Sequence, residues 1–118
     1  MNFHAHIYWA NDSERTLALS FRDTLEEMGC TLGSIHDQKV GPHDLPMYQA
    51  EYSSANKSSV EEYLQSNAGT LSILLHEDTG DDLKDHTEGA TWIGRKLFLN
   101  LDWLEEYTRA KNKVEETK

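Results

Sequence analysis

This chain has little of what would tie it to a membrane, a disulfide framework or nucleic acid. It carries one cysteine, Cys30, in 118 residues, so no internal disulfide and no all-cysteine zinc site can form. A lone thiol suits a reducing compartment, and Cys30 reads as a small buried hydrophobe. Aliphatic runs do not exceed three residues, as at Ile73-Leu74-Leu75, whereas about 20 apolar residues are needed to span a bilayer. No basic stretch followed by an apolar one opens the chain, so no secretory signal is expected and the cytoplasm is the expected location. Basic residues are scarce, 11 against 21 acidic ones, for a formal net charge of −10. Without a Lys/Arg cluster to meet a phosphate backbone, nucleic acid is excluded as a partner. The acidic runs, such as residues 78–82, read as solvated surface. Only two prolines occur, and both fall in one turn, residues 40–46.

The patterns that are present suit one domain over residues 1–110, with a charged tail, 111–118, expected to fray. Residues 3–9 alternate as a strand does, with Phe3, Ala5, Ile7 and Trp9 on one face and His4, His6 and Tyr8 on the other. Leu17, Phe21, Leu25 and Met28 recur at helical spacing over 13–28, with Asp12 or Ser13 as N-cap and Gly29 just past the end. Residues 31–38 and 47–52 read as strands. A second helix comes next, opened by a capping box of Ser58 with Glu61 or Ser59 with Glu62. Residues 71–76 alternate again, a short segment lies at 90–94, and Asp102 with Glu105 opens a last helix. The order predicts an α+β, ferredoxin-like βαββαβ fold. Its sheet is antiparallel, its helices lie on one face, its first strand sits between the third and fourth, and a helical extension closes the chain.

In that fold the apolar sets of the strands face the helices. The other face then gathers His4, His6, Tyr8, Ser72 and His76, with Met47, Gln49 and Glu51 from the third strand. His36 joins them if Ile35 faces the helices. Histidines two apart on a strand place their Cβ atoms roughly 7 Å apart on one side. His4 and His6, with His76 from the neighbouring strand, are therefore the candidate metal ligands, and Glu51 is an alternative carboxylate ligand. Neutral imidazole accepts zinc as readily as iron. The same pattern is also met by core histidines that bond locally, or by histidines lining a dimer interface. An open face carrying Tyr8, Met47 and Leu74 further predicts a homodimer, with the segment from Leu83 to Leu101 as an alternative cover.

Four stretches resemble the DOPA 4,5-dioxygenase family of small ring-cleaving dioxygenases: residues 3–8 (FHAHIY), Gly41-Pro42-His43, residues 71–76 (LSILLH), and Asp85-His86-Thr87 leading to residues 90–94 (ATWIG). They come in the family's order over roughly residues 3–100. The resemblance implies non-heme Fe(II), dioxygen and a catecholic substrate cleaved beside its hydroxyl pair, in the extradiol manner. It matches His4, His6, His43, His76 and His86 to family histidines, and it leaves open which of them bind iron. On this reading His43 is the acid–base residue, and Tyr8, His36, Gln49, Glu51 and His86 line the substrate. His86 also reads as a helix cap, and Trp92 as core. Asp44 and Glu77 stand where the family commonly has proline, and Ala68 where it has arginine. These departures keep open a metal- or small-molecule-binding protein without turnover.

Overall fold

Alternation in the first strand decides the architecture, because each of its faces meets a different cover. The computed structural model describes residues 1–39 and 41–116, with side chains through residue 110. Strand β1 (Asn2–Tyr8) lies between β3 (Met47–Ser53) and β4 (Ile73–Glu77), antiparallel to both. Strand β2 (Thr31–Leu32) pairs outside β3 and β5 (Ala90–Ile93) outside β4, both antiparallel, giving the order β2-β3-β1-β4-β5. Helices α1 (Asp12–Ser20), α2 (Arg22–Glu27) and α3 (Lys57–Asn67) supply Ala18, Phe21, Leu25, Val60 and Leu64 to one core, beneath Ala5, Ile7, Tyr48, Ala50 and Ile73. The fully buried aliphatic side chains there, Ile7, Leu25, Leu64 and Ile73 among them, each stabilise by about 1.5–3 kcal/mol. The ferredoxin-like α+β order predicted from sequence is thus the observed one, with β5 added at the edge of the sheet.

Local details depart from the sequence reading for identifiable reasons. The first helix is two segments meeting at Phe21, where the Ser20 hydroxyl bonds back to the Leu17 carbonyl and competes with the helical ladder. Its N-cap is Asn11, not Asp12 or Ser13: Asn11 Oδ1 accepts from Glu14 N at 2.9 Å while Glu14 Oε1 accepts from Ala10 N at 2.8 Å. No Ser-Glu box opens α3. Its N-cap is Asn56, whose amide donates to the Met28 carbonyl at 3.0 Å and so ties α3 to the end of α2. The strand expected over 31–38 shortens to Thr31–Leu32 and resumes only as a single bridge, His36 with Met47. Asn100, not Asp102, caps the last helix, α5 (Leu101–Glu116), by accepting from Trp103 N at 3.0 Å. The charged stretch beyond 110 is helical to Glu116, and residues 117 and 118 lie outside the described residues.

The second face of the sheet is covered by its own chain. Tyr8, Met47, Leu74 and Leu99 are 1, 3, 0 and 7% exposed, packed against Leu45, Trp92 and Leu97. The 41–46 turn is stitched to the segment after β5 by the His43–Leu99 bridge and by Asn100 N donating to the Pro42 carbonyl at 2.8 Å. Gly41 makes this turn with φ at +54°, and a Cβ there would lie 3.5 Å from the Trp103 ring. Tyr8, Met47 and Leu74 are the surface on which a second subunit was expected; they are buried within one chain, so that reason for a homodimer falls away. Among the described residues, no helix is long and apolar enough to cross a membrane.

Candidate metal centre

Register brings the histidines together. His4 faces His76 directly across β1 and β4, and His6 lies two residues further along the same face, opposite Leu74 on one side and Gln49 on the other. Two histidines arrive from outside the sheet. His43 is carried in by the Gly41-Pro42 turn. His86 is carried by the C-terminal cap of the short helix α4 (Asp82–Asp85). The His6 ring centroid is 5.0 Å from His76, 4.5 Å from His43 and 5.4 Å from His86, and His76 and His86 are 4.6 Å apart. His6, His43 and His76 are buried at 4, 6 and 5% exposure.

Hydrogen bonds assign the ring protons. A carbonyl only accepts, so His76 Nδ1–H donates to the Glu77 carbonyl at 3.0 Å and His86 Nδ1–H to the Asp82 carbonyl at 2.7 Å. Each of these rings therefore keeps a lone pair on Nε2. His4 donates from Nε2 to the Glu51 carboxylate at 3.2 Å, with Asp78 at 3.7 Å behind it, which leaves the lone pair on Nδ1. Outer carboxylate and carbonyl partners of this kind are what hold metal-binding imidazoles in orientation. His6 Nε2 lies 2.9 Å from His76 Nε2, and because the His76 nitrogen accepts, His6 donates there. His6 Nδ1 is then a fully buried nitrogen without a partner among the described residues.

The same packing keeps the His6, His43 and His76 rings neutral. Burial pushes His6 well below the usual histidine range, and the nearby His43, His76, His86 and His4 push it further. Burial, then His86, His76 and His36, lower His43 to about 3. His76 is lowered by burial, against the opposing bond to the Glu77 carbonyl. Ligand nitrogens of His4, His6 and His76 lie within 4.8 Å of one another, and so do those of His6, His43 and His86. Clustered imidazoles, three of them buried and one with a buried nitrogen left unpaired, fit a borderline divalent cation. A third cluster, Asp78, Asp82 and Asp85, is otherwise engaged at its buried member, because Asp85 accepts from the Thr79 amide and hydroxyl.

The structure thus gathers His4, His6 and His76 as expected and adds His43 and His86 to them. Asp85 faces Thr79 rather than its neighbour His86, whose ring bonds the Asp82 carbonyl of its own helix, as the capping alternative anticipated. Glu51 is taken up by His4. Gln49 is half-buried opposite His6. Ile35 is 40% exposed instead of packed on the helices, so the condition set for His36 fails. His36 still joins the edge of this face through its bridge with Met47 and bears on His43. Tyr8 is buried with its hydroxyl 2.6 Å from His43 Nδ1. Trp92 stacks on Tyr8 at 5.9 Å, in the second core. Asp78 had escaped notice because it was counted with the acidic surface run; its place one residue past β4 was the available signal. A cleft of about 200 Å³ reaches His76, and another of about 320 Å³ touches Tyr8 but none of the histidines.

The model of the Dopa 4,5-dioxygenase family matches residues 3–103. DOPA 4,5-dioxygenase of Amanita muscaria is 33% identical over 107 residues, which is 85% of this chain and 47% of that protein. An uncharacterized 21.2 kDa protein of Botryotinia fuckeliana is 28% identical over 83 residues, 64% of this chain and 45% of that protein. The chain therefore spans less than half the length of these curated relatives. A crystal structure of a dioxygenase candidate from Nostoc punctiforme superposes with a TM-score of 0.85 at 34% identity, covering 90% of this chain and 92% of the other. With its histidine-bearing strands, turn and helix cap inside the matched region, the chain belongs to the Dopa 4,5-dioxygenase family.

Proposed function

We propose that the protein is an extradiol-type dioxygenase that opens a catecholic ring, with non-heme Fe(II) held by His4, His6 and His76. The observation that carries this reading is the cluster itself: one nitrogen each of His4, His6 and His76 within 4.8 Å of one another, with His6 Nε2 2.9 Å from His76 Nε2 and both of those rings buried. Ferrous iron, when bound, supplies the redox chemistry between dioxygen and the aromatic ring. The chain's own residues do the rest. Glu51 and Asp78 orient His4, and the Glu77 carbonyl orients His76. His43, buried beside His6, is the acid–base residue and meets the substrate through its ring N–H. Gln49, Glu51, His36 and His86 form the surroundings of the ring, with Tyr8 behind His43. The same ligand set takes zinc, so protein purified in air can carry zinc in place of iron.

Departures from the family pattern do not undo the site. Glu77 acts through its backbone carbonyl, which a proline would supply equally, and Asp44 meets Lys39 at 3.6 Å, with the lysine exposed to solvent. Dioxygen uptake by the Fe(II)-loaded protein with a panel of catechols tests the proposal. Uptake together with a conjugated ring-opened product, rather than a quinone, is expected. Full iron occupancy without uptake would leave the alternative, a metal- or small-molecule-binding protein without turnover. Cytoplasmic residence is proposed on the single buried thiol, Cys30.

A further inference from the structure

We infer that Tyr8 is a positioning residue which fixes His43 in the tautomer protonated at Nε2, so that His43 meets the substrate as a hydrogen-bond donor and stays out of the metal's ligand set. This rests on the reading that His43 faces the bound substrate. Tyr8 Oη lies 2.6 Å from His43 Nδ1 and has no other hydrogen-bonding partner among the described residues. The residue is 1% exposed, so water is not at hand for its proton. A phenol O–H and an Nδ1–H facing each other across that gap would leave one buried hydrogen without an acceptor. Donation from Tyr8 to Nδ1 satisfies both groups. It also uses the lone pair of His43 and places the ring proton on Nε2.

Neither partner can easily turn away. The Tyr8 ring stacks on Trp92 at 5.9 Å and packs with Met47, Leu74 and Leu99. The His43 backbone is bridged to Leu99. The contrast with the other rings is chemical: His76 and His86 each donate from Nδ1 to a carbonyl and present a bare Nε2, whereas His43 accepts at Nδ1 and presents N–H. Of the two nitrogen clusters, the one containing His43 is therefore short of a lone pair as the hydrogen bonds stand. A neutral imidazole donor set beside the metal-binding rings stabilises negative charge as it gathers on a substrate oxygen.

Ring ¹⁵N chemical shifts of His43 in uniformly labelled, zinc-loaded protein test this directly, because zinc is diamagnetic and no turnover is needed. A protonated Nε2 and an unprotonated, hydrogen-bonded Nδ1 are expected. A protonated Nδ1, or a metal-shifted Nε2, would overturn the inference whatever the enzyme's activity. In Tyr8→Phe the His43 shifts should move to a mixture of tautomers while zinc stoichiometry holds. kcat on an accepted catechol should then drop roughly 10–100-fold, with KM little changed. Unaltered His43 shifts in a folded Tyr8→Phe would also overturn it. Should no catechol be turned over by the parent protein, the dioxygenase reading fails, and the ¹⁵N measurement still decides the role of Tyr8.

Discussion

His6 holds the key position at the scale of single residues, because it occupies the middle of the central strand and belongs to both nitrogen clusters. Replacing it with alanine removes a shared ligand, and His76→Ala removes the ring that pairs with it. Each variant is expected to lose tight metal binding. His36→Ala should keep the stoichiometry of the parent, since His36 is in neither cluster. Elemental analysis after loading and desalting reads this out; a parental metal content in His6→Ala or His76→Ala would strike that residue from the ligand set. His43→Ala separates binding from chemistry. Its metal content should hold while turnover falls by roughly 10²–10⁴-fold, the usual worth of one proton-handling group. Normal turnover in that variant would reduce His43 to a turn residue.

Among the elements, the tightest join is the turn at Gly94, just past the end of β5. Gly94 has φ at +78°, and a Cβ built on it would lie 2.5 Å from the Leu71 carbonyl oxygen, which is backbone and cannot swing aside. Gly94→Ala should cost about 1–3 kcal/mol from backbone strain, and the clash adds to it. It should also loosen the segment that carries Leu97 and Leu99 over the histidine face. A urea melt matching the parent would show that the turn has more room than this. The elements that sequence made legible were those whose periodicity is local. Alternation in β1 and β4 assigned both faces, and the βαββαβ order placed His76 beside His4. Other features hang on contacts between distant segments. Asn56 abandons local capping for the Met28 carbonyl, and His43 reaches the site only because residues 42–43 pair with 99–100. No pattern in residues 41–46 or 82–86 announces that both loops converge on His6.

For the molecule as a whole, the histidine cluster makes folding depend on pH through a window set by the rings themselves. Burial lowers His43 to about 3 and drives His6 and His76 downward, while in the unfolded chain a histidine titrates near 6.5. Between those values the unfolded chain binds more protons than the folded one, so stability rises with pH. Read downward, the metal-free protein keeps full stability above about pH 6.5 and loses it as the pH falls toward 3. Each such ring contributes at most about 1.4 kcal/mol per pH unit over its own window. The net charge of −10 acts in the opposite sense, because protonating surface carboxylates relieves repulsion. Carboxylates ordinarily titrate near 4, so melts between pH 7 and 5 isolate the histidines. The metal-free parent should show a falling midpoint across that range, and His43→Gln a shallower fall. Zinc at about 100 times its Kd should add roughly 2.7 kcal/mol at pH 7 and progressively less as protons compete for the same lone pairs. A midpoint that stays level from pH 7 to 5 without metal would mean that these rings are not buried neutral in solution, and the case for a preformed ligand set would go with it.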